Sequence, residues 1–449
     1  MKSSRATRKT RSSGTNIFLL SLCAIIVSAQ APGVLDLARK APPEIFADTV
    51  IKLVERGENP AGGRRALLEE AFEAAKHARE PVRLTALPGV RSDARAALRD
   101  SAGALGLDAL SLESRVLKLM AATDAARARE LFQSLDHPAL EARPCEDPMI
   151  ADASRYYETA GILAGGQALL PMLAVGPANS PGELASFAKV LAANRVLPPE
   201  DVRLLAGALA LKMETVAPDY RSFTMTADEL RAALEGLAVR LREDGVSTAP
   251  LAEGARKLAI AQMSSPRCNE EFGDAGRFVE WFNGKFRGTL PAVAEEELEP
   301  PKALGWFKAE SYFVSGDGKQ IANDFAGLRN ASRVAPGALA DFLREFSEWK
   351  PAGANIDAFH QKMTVLHGLF QLIPPGEDRD ALIARAVEFL KSGGIEREYP
   401  AEWLLQVRSF ASSAMGDRAK LLAAFRGSGD AGLAVFAELD AAPGAVLQK

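Results

Sequence analysis

From about residue 42 to the end of the chain, apolar residues recur every three or four positions in short segments closed by capping residues. That period places one apolar stripe on each segment, which is the signature of an amphipathic α-helix whose stripe must be buried against a neighbour. Pro42-Pro43 opens the first segment, where a missing N–H and a preset φ are compatible with the first helical turn. Phe46, Val50, Leu53 and Val54 follow on one face, and Gly57 supplies a left-handed stop. Leu67, Leu68, Ala71, Phe72 and Ala75 repeat the pattern. Leu230, Leu234, Leu237 and Leu241 run to Gly245, and later stripes comprise Ile356, Phe359, Met363, Leu366 and Phe370, then Leu382, Ile383, Ala386, Val387 and Leu390. Ser180-Pro181-Gly182-Glu183 and Thr226-Ala227-Asp228-Glu229 read as capping boxes that start helices.

Roughly sixteen to eighteen such segments are joined by short Pro/Gly/Asp connectors, so successive helices are expected to be antiparallel neighbours. The expected fold class is all-α, an irregular array of antiparallel helical hairpins of the α-solenoid or superhelical type. No repeat consensus of the tetratricopeptide or ankyrin kind occurs. Only Tyr312 to Val314 reads as a strand. Composition agrees: at 47% hydrophobic and 25% charged the chain is too apolar for disorder, and five Tyr and four Trp leave little strand-favouring mass.

The first 29 residues read as a signal peptide. Lys2, Arg5, Arg8, Lys9 and Arg11 form a basic leader, Ile17 to Val27 an apolar run too short to span a bilayer, and Val27-Ser28-Ala29 a small-residue cleavage site. Leu22 before Cys23 disfavours a lipoprotein. The remaining boundaries are read as an N-terminal helical-hairpin array over 30–288, a Pro/Glu-rich linker over 289–302 and a C-terminal helical region over 303–449. Cleavage after residue 29 removes five bases and no acid, so 54 basic against 58 acidic residues becomes 49 against 58. No basic stripe suited to nucleic acid remains, and no transmembrane anchor is expected after processing.

Two cysteines survive cleavage, Cys145 and Cys268, each in loop-like sequence. An even pair in an exported chain is expected to form a disulfide, which would stabilise by about 4–5 kcal/mol through loop-closure entropy. Two separate thiols are the alternative, since sequence separation does not set distance in space. Of the histidines, His77, His137, His360 and His367, the last two share a helix face but stand about 10.5 Å apart along it, too far for one metal. No metal ligand, cofactor or catalytic residue is assigned. Ser186-Phe187-Ala188-Lys189 matches the SxxK pattern of penicillin-binding proteins and serine β-lactamases, and Lys391-Ser392-Gly393 resembles their KTG element. The third element of that family is missing, and Lys391-Ser392-Gly393 reads better as a helix end. Aromatic clusters at Tyr156-Tyr157, Trp281-Phe282 with Phe286, Trp306-Phe307 with Tyr312-Phe313, and Trp349 could line a groove, but helical spacing favours core.

The leader, the helix opened by Pro42-Pro43, Leu67-Leu68-Glu69-Glu70-Ala71-Phe72, Ala128-Arg129-Glu130-Leu131-Phe132 and the two cysteine loops together resemble uncharacterised exported helical proteins of bacteria. That resemblance implies an exported helical fold and assigns no activity. The expected function is an exported helical-repeat scaffold or binding module for another protein or peptide. The competing class is an all-α hydrolase or lyase acting on polysaccharide or peptidoglycan. Converging carboxylates near Trp or Tyr in one deep cleft would mark the enzyme.

Overall fold

The computed structural model describes residues 31–441 apart from 59–62, 81, 91–94, 138–139, 141–142, 164–177, 179, 270–275, 288–289, 299–302, 307–315, 331–335, 350–354 and 415. The leader and the Tyr312–Val314 stretch lie outside the described residues. Twenty α-helices account for most of the rest, as the apolar period requires. In chain order they begin with α1 (Ala31–Ala38), α2 (Pro43–Glu55), α3 (Arg64–Ala75), α4 (Arg95–Gly103), α5 (Ala109–Ala121), α6 (Ala125–Gln133) and α7 (Ser154–Leu163). The middle holds α8 (Pro181–Ala193), α9 (Pro199–Thr215), α10 (Tyr220–Glu243), α11 (Ala249–Met263) and α12 (Gly276–Lys285). The last part contains α13 (Gly316–Asn330), α14 (Pro336–Glu348), α15 (Asn355–Leu372), α16 (Glu377–Lys391), α17 (Ile395–Glu398), α18 (Pro400–Ser413), α19 (Arg418–Gly427) and α20 (Ala431–Ala441).

The predicted stripes are the core. Phe46, Val50, Leu53 and Val54 are buried in α2, as are Leu67, Leu68, Ala71, Phe72 and Ala75 in α3. Immediate neighbours pack (α2 with α3, α5 with α6), and so do helices two apart, α3 with α5, α8 with α10 and α9 with α11. The all-α class agrees with the expectation, while the contacts do not establish a superhelix. One of them is not needed by any linear stack: α1 packs against α20, and Arg56 after α2 donates to the Leu439 carbonyl at 2.9 Å. A second tie joins early and late chain, where α18 packs on α4 and Arg95 pairs with buried Asp357 of α15 at 2.6 Å.

Local chemistry corrects two readings. Thr226 does not start a helix; α10 begins seven residues earlier in the sequence, at an Asp219 cap whose carboxylate accepts from the Ser222 N–H. Thr226 then sits inside α10 and its hydroxyl donates back to the Ser222 carbonyl, the usual recourse of a threonine within a helix. At α8 the Ser180 hydroxyl caps as expected, accepting from Gly182 N–H, but Glu183 turns inward to accept the Tyr157 hydroxyl at 2.6 Å instead of closing the box. Four short strands also occur: β1 (Arg83–Ala86) runs antiparallel to β2 (Met149–Asp152), and β3 (Arg267–Asn269) parallel to β4 (Ala303–Trp306). Segments of three or four residues carry too little alternation to show a period of two.

The described part of the Pro/Glu-rich stretch, Leu290–Leu298, lies strapped across α11 and α12. The Asn283 amide brackets both backbone groups of Val293, and Arg256 reaches the Pro291 carbonyl and the Glu297 carboxylate. Its acidic cluster forms one 3-10 turn, Glu295–Glu297, in which Glu297 accepts the Ala294 N–H.

Glycines show where the helices approach most closely. A Cβ on Gly254 in α11 would lie 2.7 Å from the Ala210 carbonyl oxygen of α9, whereas one on Gly207, on the outer side of α9, would meet nothing within 4 Å. The same substitution should therefore act with opposite signs. Gly254→Ala is expected to destabilise by about 1–3 kcal/mol through overpacking. Gly207→Ala should stabilise by about 0.5–1 kcal/mol through lower chain entropy. Urea unfolding of the two variants checks the pair.

Candidate functional site

A groove of about 730 Å³ runs along α7 and α8, lined among others by Gly161, Ile162, Val190, Ala193 and Val196, with Lys118 and Arg195. Its floor forms because Gly161 lets the two helices meet: a Cβ there would lie 2.9 Å from Val190. Its walls are apolar and open, with Ile162 55% and Val196 77% exposed. Among the described residues the large hydrophobic side chains left exposed, these two with Leu204, Leu211 and Val239, all fall between 162 and 239. The described residues thus leave their large exposed apolar side chains in one part of the chain.

A second basin of about 240 Å³ adjoins the groove and shares Ser154, Glu158, Ser186, Lys189 and Glu229 with it. Thr85 on β1 and Ile150, Ala151 and Asp152 on β2 complete its wall. The register pairs Thr85 with Ile150 and Arg83 with Asp152, and the next rung outward is the Leu87 N–H donating to the Pro148 carbonyl at 2.9 Å. Alternation then turns the N–H and C=O of Ala151 away from β1, to the outer edge of β2. The opposite edge is already occupied, since the Ala86 N–H meets the Asp100 carboxylate.

Charges around the groove are paired within the protein. Lys189 meets Glu229 at 2.8 Å, and Glu158 accepts from Lys118 and Arg155. The structure thereby brings Ser186 and Lys189 of the SxxK pattern to the groove, yet the Glu229 hydrogen bond raises the Lys189 pKa. A lysine held cationic cannot take a proton from a serine. The other fragment, Lys391-Ser392-Gly393, is a helix end: Ser392 caps α16 and Gly393 has φ +76°.

The remaining candidates are structural. His360 and His367 share α15, as the spacing implied, and Gln406 of α18 bonds to both rings. His360 is fully buried and its Nε2 lies 2.5 Å from Glu402. Burial lowers the His367 pKa. His137 borders the Tyr157–Glu183 pair at 3.2 Å from the carboxylate. Tyr156, Tyr157, Phe282 and Trp349 are core, and Trp281 donates to Glu235 at 2.6 Å. The side chains of Trp306, Phe307, Tyr312 and Phe313 lie outside the described residues. Among the described residues lining the groove and its basin there is no Trp or Tyr, and no group of His, Cys, Asp and Glu has a metal-binding arrangement.

Cys145 and Cys268 are joined as a disulfide with a Cα–Cα distance of 5.6 Å, inside the range such a bond needs. Sequence reasoning missed the groove. The residues that open it, Gly161, Ile162 and Val196, are individually unremarkable, and only Ser186-Lys189 pointed to this place.

No protein-family model, curated protein or solved structure matches the chain. The site therefore stands on its own geometry.

Carboxyls with shifted acidity lie elsewhere. Burial raises Glu113 to about 7, with Lys76 opposing and Asp108 adding to the shift. Burial and the neighbouring Asp430 raise Glu396 to about 8. Both groups hold their proton more tightly in the folded chain than in the unfolded one. Their stabilising contribution is complete below the unfolded value near 4.5 and is lost as pH rises through about 7 and 8. Stability should consequently fall between pH 5 and 8, and Glu396→Gln should flatten the upper part of that decline. Thermal unfolding across this pH range checks it.

Proposed function

We propose that this protein is an exported binding module that holds an extended segment of another protein or peptide in the α7–α8 groove. Apolar side chains of the segment lie between Ile162 and Val196. Its backbone pairs with the outer edge of β2 at Ala151, in the manner of strand addition to an open sheet edge. The observation that carries this reading is that Ala151, whose backbone polar groups face away from β1, lines a basin adjoining the groove in which Ile162 and Val196 are exposed. Groove carboxylates already bound to lysines, and the lack of a lining Trp or Tyr among the described residues, support binding over glycan cleavage. Export is supported by the basic and apolar leader and by the disulfide. No helix among the described residues is long and apolar enough to cross a membrane.

Peptides selected from a random display library on residues 30–449 supply the probe. Ile162→Asp combined with Val196→Asp should weaken them at least about tenfold, equivalent to about 1.4 kcal/mol. Both side chains are more than half exposed, so folding should change by less than about 0.5 kcal/mol. A photo-crosslinking residue at position 196 should capture the same peptides. Selected peptides that bind the double variant as tightly as the parent would refute the groove.

A further inference from the structure

The Cys145–Cys268 pair sits in a chemically lopsided setting. Arg221, near the start of α10 and buried, donates to the Pro144, Cys145 and Asp147 carbonyls at 3.3, 3.3 and 2.6 Å. The same guanidinium lies 3.2 Å from Cys268 Sγ. It therefore holds the Cys145 turn in place through backbone oxygens that do not depend on the S–S bond, while one of its nitrogens reaches the Cys268 sulfur. Cys145 is buried, and Cys268 is half-buried on the short strand β3.

Other charged residues flank the pair in sequence. Beside Cys145 in the chain stand Glu146 and Asp147, the latter paired with Arg143. Beside Cys268 stands Arg267, stacked on the Tyr220 ring with 4.2 Å between guanidinium carbon and ring centroid. Asp219, which caps α10, is the carboxylate facing Arg221 from its own helix, and it is engaged by the Ser222 N–H. A thiolate forms most readily where it is partly accessible and next to a cation. Cys268 meets both conditions, whereas Cys145 is buried and fails the first.

We infer that Cys145 and Cys268 form a redox-active pair, with Cys268 as the exchanging sulfur and Cys145 as its buried resolving partner. The co-reactant is a dithiol or disulfide on a protein or small molecule. In the reducing direction a dithiol thiolate attacks Cys268 Sγ, the intramolecular S–S bond breaks, and its electron pair leaves on Cys145, which takes up a proton. The second thiol of the co-reactant, deprotonated, attacks the mixed disulfide and expels Cys268 as a thiolate beside Arg221. The co-reactant has lost two electrons and two protons; the pair has gained the electrons and one proton, and one proton enters solvent. The oxidising direction runs these steps backward, with Cys268 attacking an external disulfide. Because the Arg221–carbonyl bonds persist, the two sulfurs stay close enough to reclose. This inference is independent of the groove.

Alkylation of the reduced full-length mature chain by iodoacetamide, followed by peptide mass spectrometry at a series of pH values, tests it. Cys268 should titrate below the ordinary thiol value of about 8.5 and at pH 7 react about tenfold faster than Cys145. In urea the difference should vanish. Arg221→Gln should slow Cys268 toward the urea rate, and Arg221→Lys should recover part of it. Should Arg221→Gln unfold, Cys145→Ser keeps Arg221 and leaves Cys268 to be titrated alone. An ordinary thiol titration for Cys268 in native buffer, faster alkylation of Cys145, or equal rates in folded Arg221→Gln and parent would each overturn the assignment.

Discussion

A helix with one apolar stripe is unstable until something covers that stripe, and in this chain the rule reaches from the first described helix to the last. Eight residues are too few to remain helical alone in water, so α1 exists because Val34, Leu35 and Ala38 are buried against neighbours that include α20. At about 25 cal/mol per Å² of apolar surface removed from water, each such stripe contributes several kcal/mol, which chain entropy largely offsets. The balance favours folding only when neighbours are assembled together, so the contact of α1 with α20 makes the early helices depend on the end of the chain.

Polar groups then decide how the stripes meet. Arg240, buried in α10, donates to the Leu191, Asn194 and Leu197 carbonyls and so satisfies the exposed oxygens at the end of α8. Arg221 does the same for the Cys145 turn. Burial alone would raise the pKa of Asp48 in α2, yet Lys52 and Arg115 outweigh this and hold it down at about 2. These ties add modest net stability, but leaving any member buried without its partner would cost more than the tie contributes. They specify one arrangement among many that would bury the same apolar area, and in that arrangement Ile162 and Val196 are left exposed.

The helices were legible because each stripe states its own period: Leu230, Leu234, Leu237 and Leu241 are buried as their spacing demands. Pro42-Pro43 and Gly57 marked the bounds of α2 because proline and left-handed glycine act locally. The start of α10 was misplaced because Thr226 and Glu229 look like a cap in isolation, while the Asp219 cap that the helix uses lies about two turns upstream. The β1–β2 pairing was illegible because it joins residues far apart in sequence through backbone atoms common to every residue type. For the same reason the groove left no motif. Cys145 and Cys268 were recognisable as a pair from number and context, whereas Arg221 between them was one arginine among many until the fold placed it.

Amide hydrogen exchange of the intact protein, read over α1 and α20, tests the interdependence of the two ends most directly. The amides of Leu35 to Arg39 should be protected well beyond those of a fraying terminus and exchange in step with those of Leu433 to Leu439. Exchange of the α1 amides at the rate of unstructured chain, with α20 still protected, would contradict the account.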